Sequence, residues 1–421
     1  MHTVEIINFI IMCLFFACYM YQFLYIPISW MGEKKPERSA PLHRFAVLIA
    51  ARNEEAVIGQ LIDSIKAQNY PEKLISIFVV ADSCCDATAA IAREHGAAVT
   101  ERWDSARRGK GYALDFLLGE MKLHDQEPFD AYVVLDADNV LDVNFFSSMN
   151  KTFSEGYDIV TCYRNSKNYG DNWISAGYGL WFLRESRYLN AARMKLGSSC
   201  GVSGTGFLFS AAVLDRQGGG WPFHLLTEDI EFTIDNVVRG MKIGYCPDAI
   251  VYDEQPVRFR QSWVQRLRWS RGYLQVFRRY GDRLFSGIFR GSFSCYDMTM
   301  SIMPAAVLTG LSIAVNLGAA VINIMYYKEW SVLGISALQT LLNLYLTLFV
   351  IGGITTATEW RSIHCSPVKK ILYTFTFPVF MLTYVPIVIE SLCVTPEWTH
   401  IDHTRSLSVQ QICAENYRDA V

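Results

Sequence analysis

Apolar positions along this chain follow two patterns. From Phe9 to Ile28 the sequence reads FIIMCLFFACYMYQFLYIPI without a charged side chain. As a helix, about 20 such residues extend about 30 Å and cross the hydrocarbon core of a bilayer. No Lys or Arg precedes the run, whereas a cleaved export signal needs a basic start, so the stretch reads as a retained anchor. Three further apolar stretches, Met298 to Met325, Val332 to Ile354 and Ile371 to Val394, come near the end, with Trp330, Trp360 and Trp398 at interfacial positions. The last contains Pro378 and Pro386 and has Glu390 near its end, which leaves it to bend, lie re-entrant or cross fully.

Between these stretches the apolar runs shorten to strand length. FAVLIA (45–50) is followed by polar ARNEE and then by apolar Val57, Ile58, Leu61, Ile62 and Ile65, the pattern of a strand, a loop and an amphipathic helix. The cycle repeats with ISIFVVA (75–81), the turn DSCCD and a helix from near Ala87. It repeats again with AAVT (97–100), a basic glycine turn and a helix from about Tyr112, and a further strand, AYVVLD, ends at Asp136. Alternating strands and helices predict an α/β unit with a parallel sheet covered on both faces, whose ligands bind outside the carboxyl ends of the strands. Further on, Leu284, Phe285, Ile288 and Phe289 recur at helical spacing among Arg283 and Arg290, which suits a helix lying in a membrane surface or packed on the globular part. The expected division is an anchor (1–30), a cytoplasmic domain (31–280), an interfacial helix (281–297), membrane helices (298–395) and an unplaced tail (396–421).

Composition narrows the class. Of 421 residues, 51% are hydrophobic and 19% charged, which excludes disorder for the bulk. The net charge of -3 is spread along the chain, so nucleic acid is not an expected partner. The 11 cysteines include no CxxC pair and read as small buried hydrophobes. Basic residues set the orientation. Lys34, Lys35, Arg38 and Arg44 follow the first stretch, and Arg361, Lys369 and Lys370 lie between the third and fourth, against only Lys328 between the second and third. The N-terminus is then outside and the central domain cytoplasmic, in a multi-pass cell-membrane protein.

The loops after the expected strands begin with Ala51-Arg52-Asn53-Glu54, with Asp82 and with Asp136-Ala137-Asp138-Asn139, so these polar groups should face one crevice. No GxGxxG follows the first strand, and Lys110 in RRGKG lacks the remaining features of a P-loop. Asp136 and Asp138, one residue apart at a strand end, point to one side in extended geometry. They either hold Mg²⁺ or Mn²⁺, with a diphosphate completing the shell, or cap a turn. Thr227-Glu228-Asp229 precedes an apolar helix that Thr227 could cap. The neighbouring SGTGF (203–207) permits close backbone approach to a ligand, and a carboxylate there could act as a general base. In Gln265-Arg266-Leu267-Arg268-Trp269 the two arginines diverge by about 200° on a regular helix, so either the helix is distorted or one arginine has a structural partner. Trp269 is core filler or a platform for a sugar ring. Asn316, Asn323, Gln339 and Asn343 inside the spans line a sugar path or hydrogen-bond between helices.

In order, Asp82, DADN (136–139), TED (227–229) and QRLRW (265–269) resemble the membrane-embedded family 2 glycosyltransferases, which include cellulose, chitin, hyaluronan and poly-N-acetylglucosamine synthases. The resemblance covers about residues 43–280, with spans on both sides. It implies a GT-A-type, Rossmann-like α/β cytoplasmic domain with about four transmembrane helices. The implied activity is inverting transfer from a UDP-sugar, with UDP-N-acetylglucosamine as the donor taken from the resemblance, to a growing β-linked glycan. By the same resemblance Asn53, Glu54 and Asp82 contact the uridine, Lys110 and Asp136 hold the nucleotide, and Asp138 binds the metal beside Asp136. Asp229 is the base, next to Glu228. Arg266 or Arg268, in the segment that opens with Gln265, neutralises the departing diphosphate. Trp269 stacks on the acceptor, and Gly204, Thr205 and Gly206 line the acceptor end. The chain has fewer spans than polymer synthases that build their own channel, so a homo-oligomer or an export partner is a further expected partner, besides membrane lipids. Two alternatives stand beside polymer extension: transfer of one sugar to a lipid-linked acceptor, and an inactive translocation or assembly subunit.

Overall fold

The structure, a computed structural model, describes residues 2–32, 40–123, 128–326, 330–396, 403 and 405–418. Lys34, Lys35, Arg38, Lys328 and Trp398 lie outside these residues.

All four expected strands form, as β1 (Phe45–Ala51), β2 (Ile75–Asp82), β3 (Ala98–Arg102) and β4 (Ala131–Asp136). Four more follow: β5 (Val140–Leu141), β6 (Ile159–Ser166), β7 (Phe207–Ser210) and β8 (Ile243–Asp253). Together they make one eight-stranded sheet in the order β3-β2-β1-β4-β7-β6-β8-β5. The first four are mutually parallel, as expected. The sheet is nevertheless mixed, because β7 runs antiparallel to both β4 and β6, and β5 antiparallel to β8. The reason for β7 is local. Gly206 donates its N–H to the Val134 carbonyl near the carboxyl end of β4, so the chain enters β7 at that end and must run back along β4.

Side chains of β1 alternate between two apolar cores: Ala46 and Leu48 face one, and Phe45, Val47 and Ile49 the other. The helix Ile58–Lys66 seals the second core with Ile58, Leu61, Ile62 and Ile65, the positions its periodicity marks. The helix Lys110–Leu123 covers the first with Leu114, Leu117 and Leu118. Each such buried side chain contributes about 1.5–3 kcal/mol, and together they fix the strand ends that carry the polar loops.

Among the described residues, three helices are long and apolar enough to cross a membrane: Ile6–Trp30, Leu341–Thr358 and Pro367–Cys393. A fourth helix, Pro304–Tyr326, contains the shorter apolar segment Gly310–Ile322. The stretch expected to begin at Met298 is broken. The helix Phe293–Ile302 ends at Met303, and Pro304, which has no N–H to donate, starts a new helix at its first position. Met298 belongs to the part before the break and packs into the globular core. The last stretch bends at Thr383, between Pro367–Leu382 and Tyr384–Cys393, and Glu390 accepts a hydrogen bond from the Trp263 indole at 2.7 Å. Asn316 bonds Asn8 of the N-terminal helix at 3.0 Å, the interhelical role expected for such residues. That helix is also clamped to the domain, because fully buried Asp297 accepts from Tyr21 (2.6 Å) and Tyr25 (3.0 Å) and pairs with Arg193 (2.7 Å).

Residues 281–289 are not a separate element but the end of the 31-residue helix Phe259–Phe289. Leu284 packs on the core while Phe289 stays 89% exposed, so the segment both packs and keeps an apolar outer face. The C-terminal tail returns to the globular domain. Ile412, in the helix Val409–Arg418, is fully buried, and Arg405 forms an ion pair with Asp171.

Candidate active site

β1 lies between β2 and β4, with Ala51 opposite Ala81 and Ala50 opposite Asp136, so three polar loops leave the sheet side by side. They open into a cavity of about 510 Å³. Glu54, Asp82, Asp136 and Asp138 line its sheet end, with Lys110 at the start of its helix. Gly204, Glu228 and Asp229 form the middle, and Gln265, Arg268 and Trp269 the side toward the membrane helices.

Hydrogen bonds tie these segments together. Lys110 Nζ donates to Asp136 Oδ1 (2.5 Å) and to the Gly204 carbonyl (2.8 Å), while the Gly204 N–H donates to Asp229 Oδ2 (2.6 Å). Gly204 has φ +76°, a conformation that favours glycine and turns its N–H and carbonyl to these two partners. Thr205 stands behind the cavity wall, where its hydroxyl accepts from the Asp136 N–H at 2.9 Å and donates to Asn139. Gly206 also sits behind, because a Cβ there would lie 2.3 Å from Cys162 Sγ. Asp138 Oδ2 accepts from the Glu254 N–H at 2.9 Å. The expected cap at Thr227 does not form. Its hydroxyl is buried without a hydrogen-bond partner and makes no cap bond, because Gly272 brings the Phe259–Phe289 helix against it.

Charges in the cavity shift one another. Burial pushes the Asp229 carboxyl above the usual range, opposed by the Ile230 N–H, Lys110 and the Gly204 N–H. Burial, together with Asp229, pushes Glu228 up to about 7. Burial alone would lower Lys110, but Asp136, Glu228 and Asp229 more than offset it and hold the ammonium above its ordinary value. Asp138 moves the other way: burial would raise it, yet His403, Lys167 and the Glu254 N–H keep it low. The cavity therefore pairs a carboxylate held low, Asp138, with a more basic one, Asp229, next to a lysine.

A family model described as "Glycosyltransferase like family 2" matches residues 43–272, more than half of the chain. The chain belongs to this family. A β-monoglucosyldiacylglycerol synthase of Synechocystis is 26% identical over 248 residues, 58% of this chain and 50% of that protein. A poly-β-1,6-N-acetyl-D-glucosamine synthase of Staphylococcus aureus is 25% identical over 266 residues, 60% of each chain. This chain thus spans half to about three fifths of the length of the curated relatives it matches. A mannosyltransferase of Pyrobaculum calidifontis, solved with GDP-Man and Mn²⁺, superposes with a TM-score of 0.58 over 93% of this chain and 99% of that one, at 16% identity. The fold is therefore of the GT-A type, with membrane-type helices attached.

Besides Thr205 and Gly206, two more expected positions of the glycosyltransferase stand outside the cavity. Asn53 does not line the cavity. With φ 55°, its side chain turns back and accepts from the Cys85 N–H at 2.9 Å, which shapes the DSCC turn, and Arg52 lines the cavity instead. Arg266 is fully buried away from it. Its guanidinium donates to Thr383 (2.6 Å) and the Phe380 carbonyl (3.2 Å) and lies over the rings of Phe380 and Tyr384. The divergence of the two arginines on a regular helix is thus realised: Arg268 enters the cavity and Arg266 fastens the helix to the last membrane segment. Arg266→Ala should cost about 2–4 kcal/mol by leaving a cavity and lower the melting temperature with UDP affinity unchanged. Arg268→Ala should weaken UDP binding about tenfold or more with the melting temperature unchanged. Thermal melts and calorimetric UDP titrations check both, and the reverse assignment would show the opposite pattern. Trp269 lines the cavity and meets Tyr178 edge-on at 5.7 Å between centroids, so it is packed on one side and faces the cavity on the other.

Sequence reasoning missed Arg164, Glu185, Asp253, Glu254 and His403, all of which line the cavity. Arg164 pairs with Asp253 across neighbouring β6 and β8 and donates to the Ser203 carbonyl at 2.9 Å, which braces the SGTG loop. The same strand-end rule applied to IVTCYRNS and IGYCPDAIVYD would have found both. Glu185 opens a wide π-helical turn (Glu185–Asn190), a feature that favours functional positions.

Proposed function

We propose that the protein is a membrane-bound inverting glycosyltransferase that moves a sugar from a UDP-sugar to a hydroxyl acceptor. The observation that carries this is the position of Asp229. It lies on the Gly204 N–H, between the polar strand ends and the part of the cavity walled by membrane helices. The Asp229 carboxylate takes the acceptor proton as that oxygen attacks the anomeric carbon, and UDP departs from the opposite face with inversion. Glu54 and Asp82 bind the uridine side, with Asp82 held by Arg102 at 2.7 Å. Lys110 and Arg268 stabilise the charge that develops on the leaving diphosphate.

A divalent ion fits this donor set. Among the described residues no three His, Cys, Asp or Glu side chains form a ready-made metal site, which suits an ion held by one or two carboxylates and by the donor's phosphates. Asp138, kept ionised, and Asp136 would hold it. Mg²⁺ or Mn²⁺, when bound, neutralises the diphosphate.

Ile302, Met381, Tyr384, Val385 and Val388, from three membrane-side helices, wall the end of the cavity beyond Trp269. This apolar wall favours an acceptor with a lipid anchor over a free glycan end. The named relatives include one synthase of each kind. UDP-sugars labelled in the sugar, supplied singly with Mn²⁺ and diacylglycerol micelles, should give an organic-soluble product, with UDP-glucose and UDP-N-acetylglucosamine the first donors. Label found only in water-soluble chains would return the reading to glycan extension, and no UDP release from any donor would favour an inactive assembly subunit. Arg361, Lys369 and Lys370 flank the last membrane segment on the side expected to be cytoplasmic, which supports a cytoplasmic globular domain.

A further inference from the structure

The cavity wall holds a carboxylate that the transfer step leaves unused. The helix Trp173–Arg184 brings Trp181 and Phe182 to the cavity, and Glu185 follows them on the same helix face as the first residue of the π-helical turn. Among the described residues the Glu185 side chain has no ion-pair partner, and its one hydrogen bond comes from Ser203 Oγ to Oε2 at 3.3 Å. Burial raises its pKa against the pull of Arg193 and Arg164. Burying a carboxylate with one long hydrogen bond is costly unless another donor reaches it. For Oε1 that donor has to come from whatever fills the cavity. The neighbours of Glu185 show which part of the occupant this is. Ser203 precedes Gly204, whose N–H holds Asp229 at 2.6 Å, so one loop joins Glu185 to the base. Phe182, one turn before Glu185, meets Trp269 edge-on at 6.2 Å between centroids, where the wall from the membrane-side helices begins. Glu185 therefore stands between the base and the lipid-facing end, on the acceptor side.

We propose that Glu185 Oε1 accepts a hydrogen bond from a second hydroxyl of the acceptor, beside the one that Asp229 deprotonates, so that the acceptor is a lipid with a polyhydroxylated head group rather than a single alcohol. This rests on the reading of a lipid-anchored acceptor with Asp229 as its base. The two carboxylates, tied to one loop, bracket neighbouring hydroxyls. Asp229 takes the proton of the attacking oxygen, and Glu185 fixes the rotation of the head group that brings this oxygen in line with the anomeric carbon. A lipid with one hydroxyl can fill the same apolar wall but leaves Oε1 unpaired. Leaving a polar group of the site unpaired is how a site rejects an analogue that lacks one hydroxyl.

The test uses the full-length protein in detergent micelles with Mn²⁺ and labelled UDP-glucose or UDP-N-acetylglucosamine, and compares monoglucosyldiacylglycerol with diacylglycerol as acceptor. The wild type should favour the glycolipid about tenfold or more in kcat/KM, through a lower KM for that acceptor. Glu185→Ala should bring the two acceptors within about twofold of each other. Glu185→Gln, whose amide oxygen still accepts, should keep part of the preference. A merely structural role would depress both acceptors alike and leave their ratio unchanged. A wild type that uses the two lipids equally, or a preference that persists in Glu185→Ala, would overturn the role of Glu185 alone. Label found only in water-soluble chains, with neither lipid extended, would overturn the lipid-acceptor reading and this inference with it. The wild-type ratio decides even where a variant fails to fold.

Discussion

Asp229→Asn should lower the rate of sugar transfer about 10²–10⁴-fold, the usual contribution of a positioned general base, while UDP affinity stays within about twofold of wild type. The amide keeps the shape of the carboxylate, and its oxygen can still accept the Gly204 N–H, so the loop that carries Lys110's carbonyl partner stays in place. What disappears is the ability to take a proton. The pH dependence separates this from a structural effect. A base raised by burial is protonated, and idle, up to a higher pH than an ordinary aspartate, whose pKa is about 3.9. Wild-type kcat/KM should therefore rise with pH along an acid limb whose midpoint lies above that value, and the limb should be absent from the residual activity of Asp229→Asn. A variant with full activity and an unchanged limb would remove Asp229 from the role and shift attention to Glu228, which shares the buried pocket.

Why this site was largely legible follows from the sheet. β1, β2 and β4 are short, apolar and bounded by polar turns, so their carboxyl ends, and with them Glu54, Asp82 and Asp136, could be located from the runs alone. The second half of the domain resisted the same treatment. β7 has four residues and β5 two, too short for any periodicity to emerge, and β8 carries Pro247 and Asp248 within its run. The antiparallel turn of the sheet went unread for that reason. Asn53 misled because a side chain in a polar loop can serve its own backbone neighbourhood as readily as a ligand, and its left-handed φ commits it to the former. Arg266 was separable from Arg268 by helical angle, but which of the two faced the cavity depended on where the last membrane segment packs. That is a tertiary fact carried by Phe380 and Thr383. His403 lay beyond reach altogether, since nothing local ties residue 403 to a carboxylate 349 positions earlier.

Lys110→Met is the other change expected to matter most, because one ammonium serves three carboxylates. Lys110 Nζ bonds Asp136 and the Gly204 carbonyl, and its charge acts on both Glu228 and Asp229. Met matches the length of the stem, so the packing loss is small. Removing the two hydrogen bonds should destabilise the fold by about 1–3 kcal/mol, toward the lower end because the Asp136 side chain is 35% exposed and water can replace part of the loss. The functional effect should be larger. Without the cation, Asp136, Glu228 and Asp229 repel one another and the incoming diphosphate, and UDP affinity should fall about 10²-fold. The sign of the pH effect is fixed as well. Losing a neighbouring positive charge raises a carboxylate pKa further, so the acid limb of kcat/KM should move to higher pH than in the wild type. Lys110→Arg, which restores the charge, should return the limb toward its original position even if its larger head group leaves UDP binding weak. Titration calorimetry with UDP and a pH–rate series on the three proteins distinguish the outcomes. If Lys110→Met bound UDP as tightly as wild type and kept its limb in place, the lysine would be a structural strut and the Asp136–Lys110–Gly204–Asp229 chain would not be the link between donor and base.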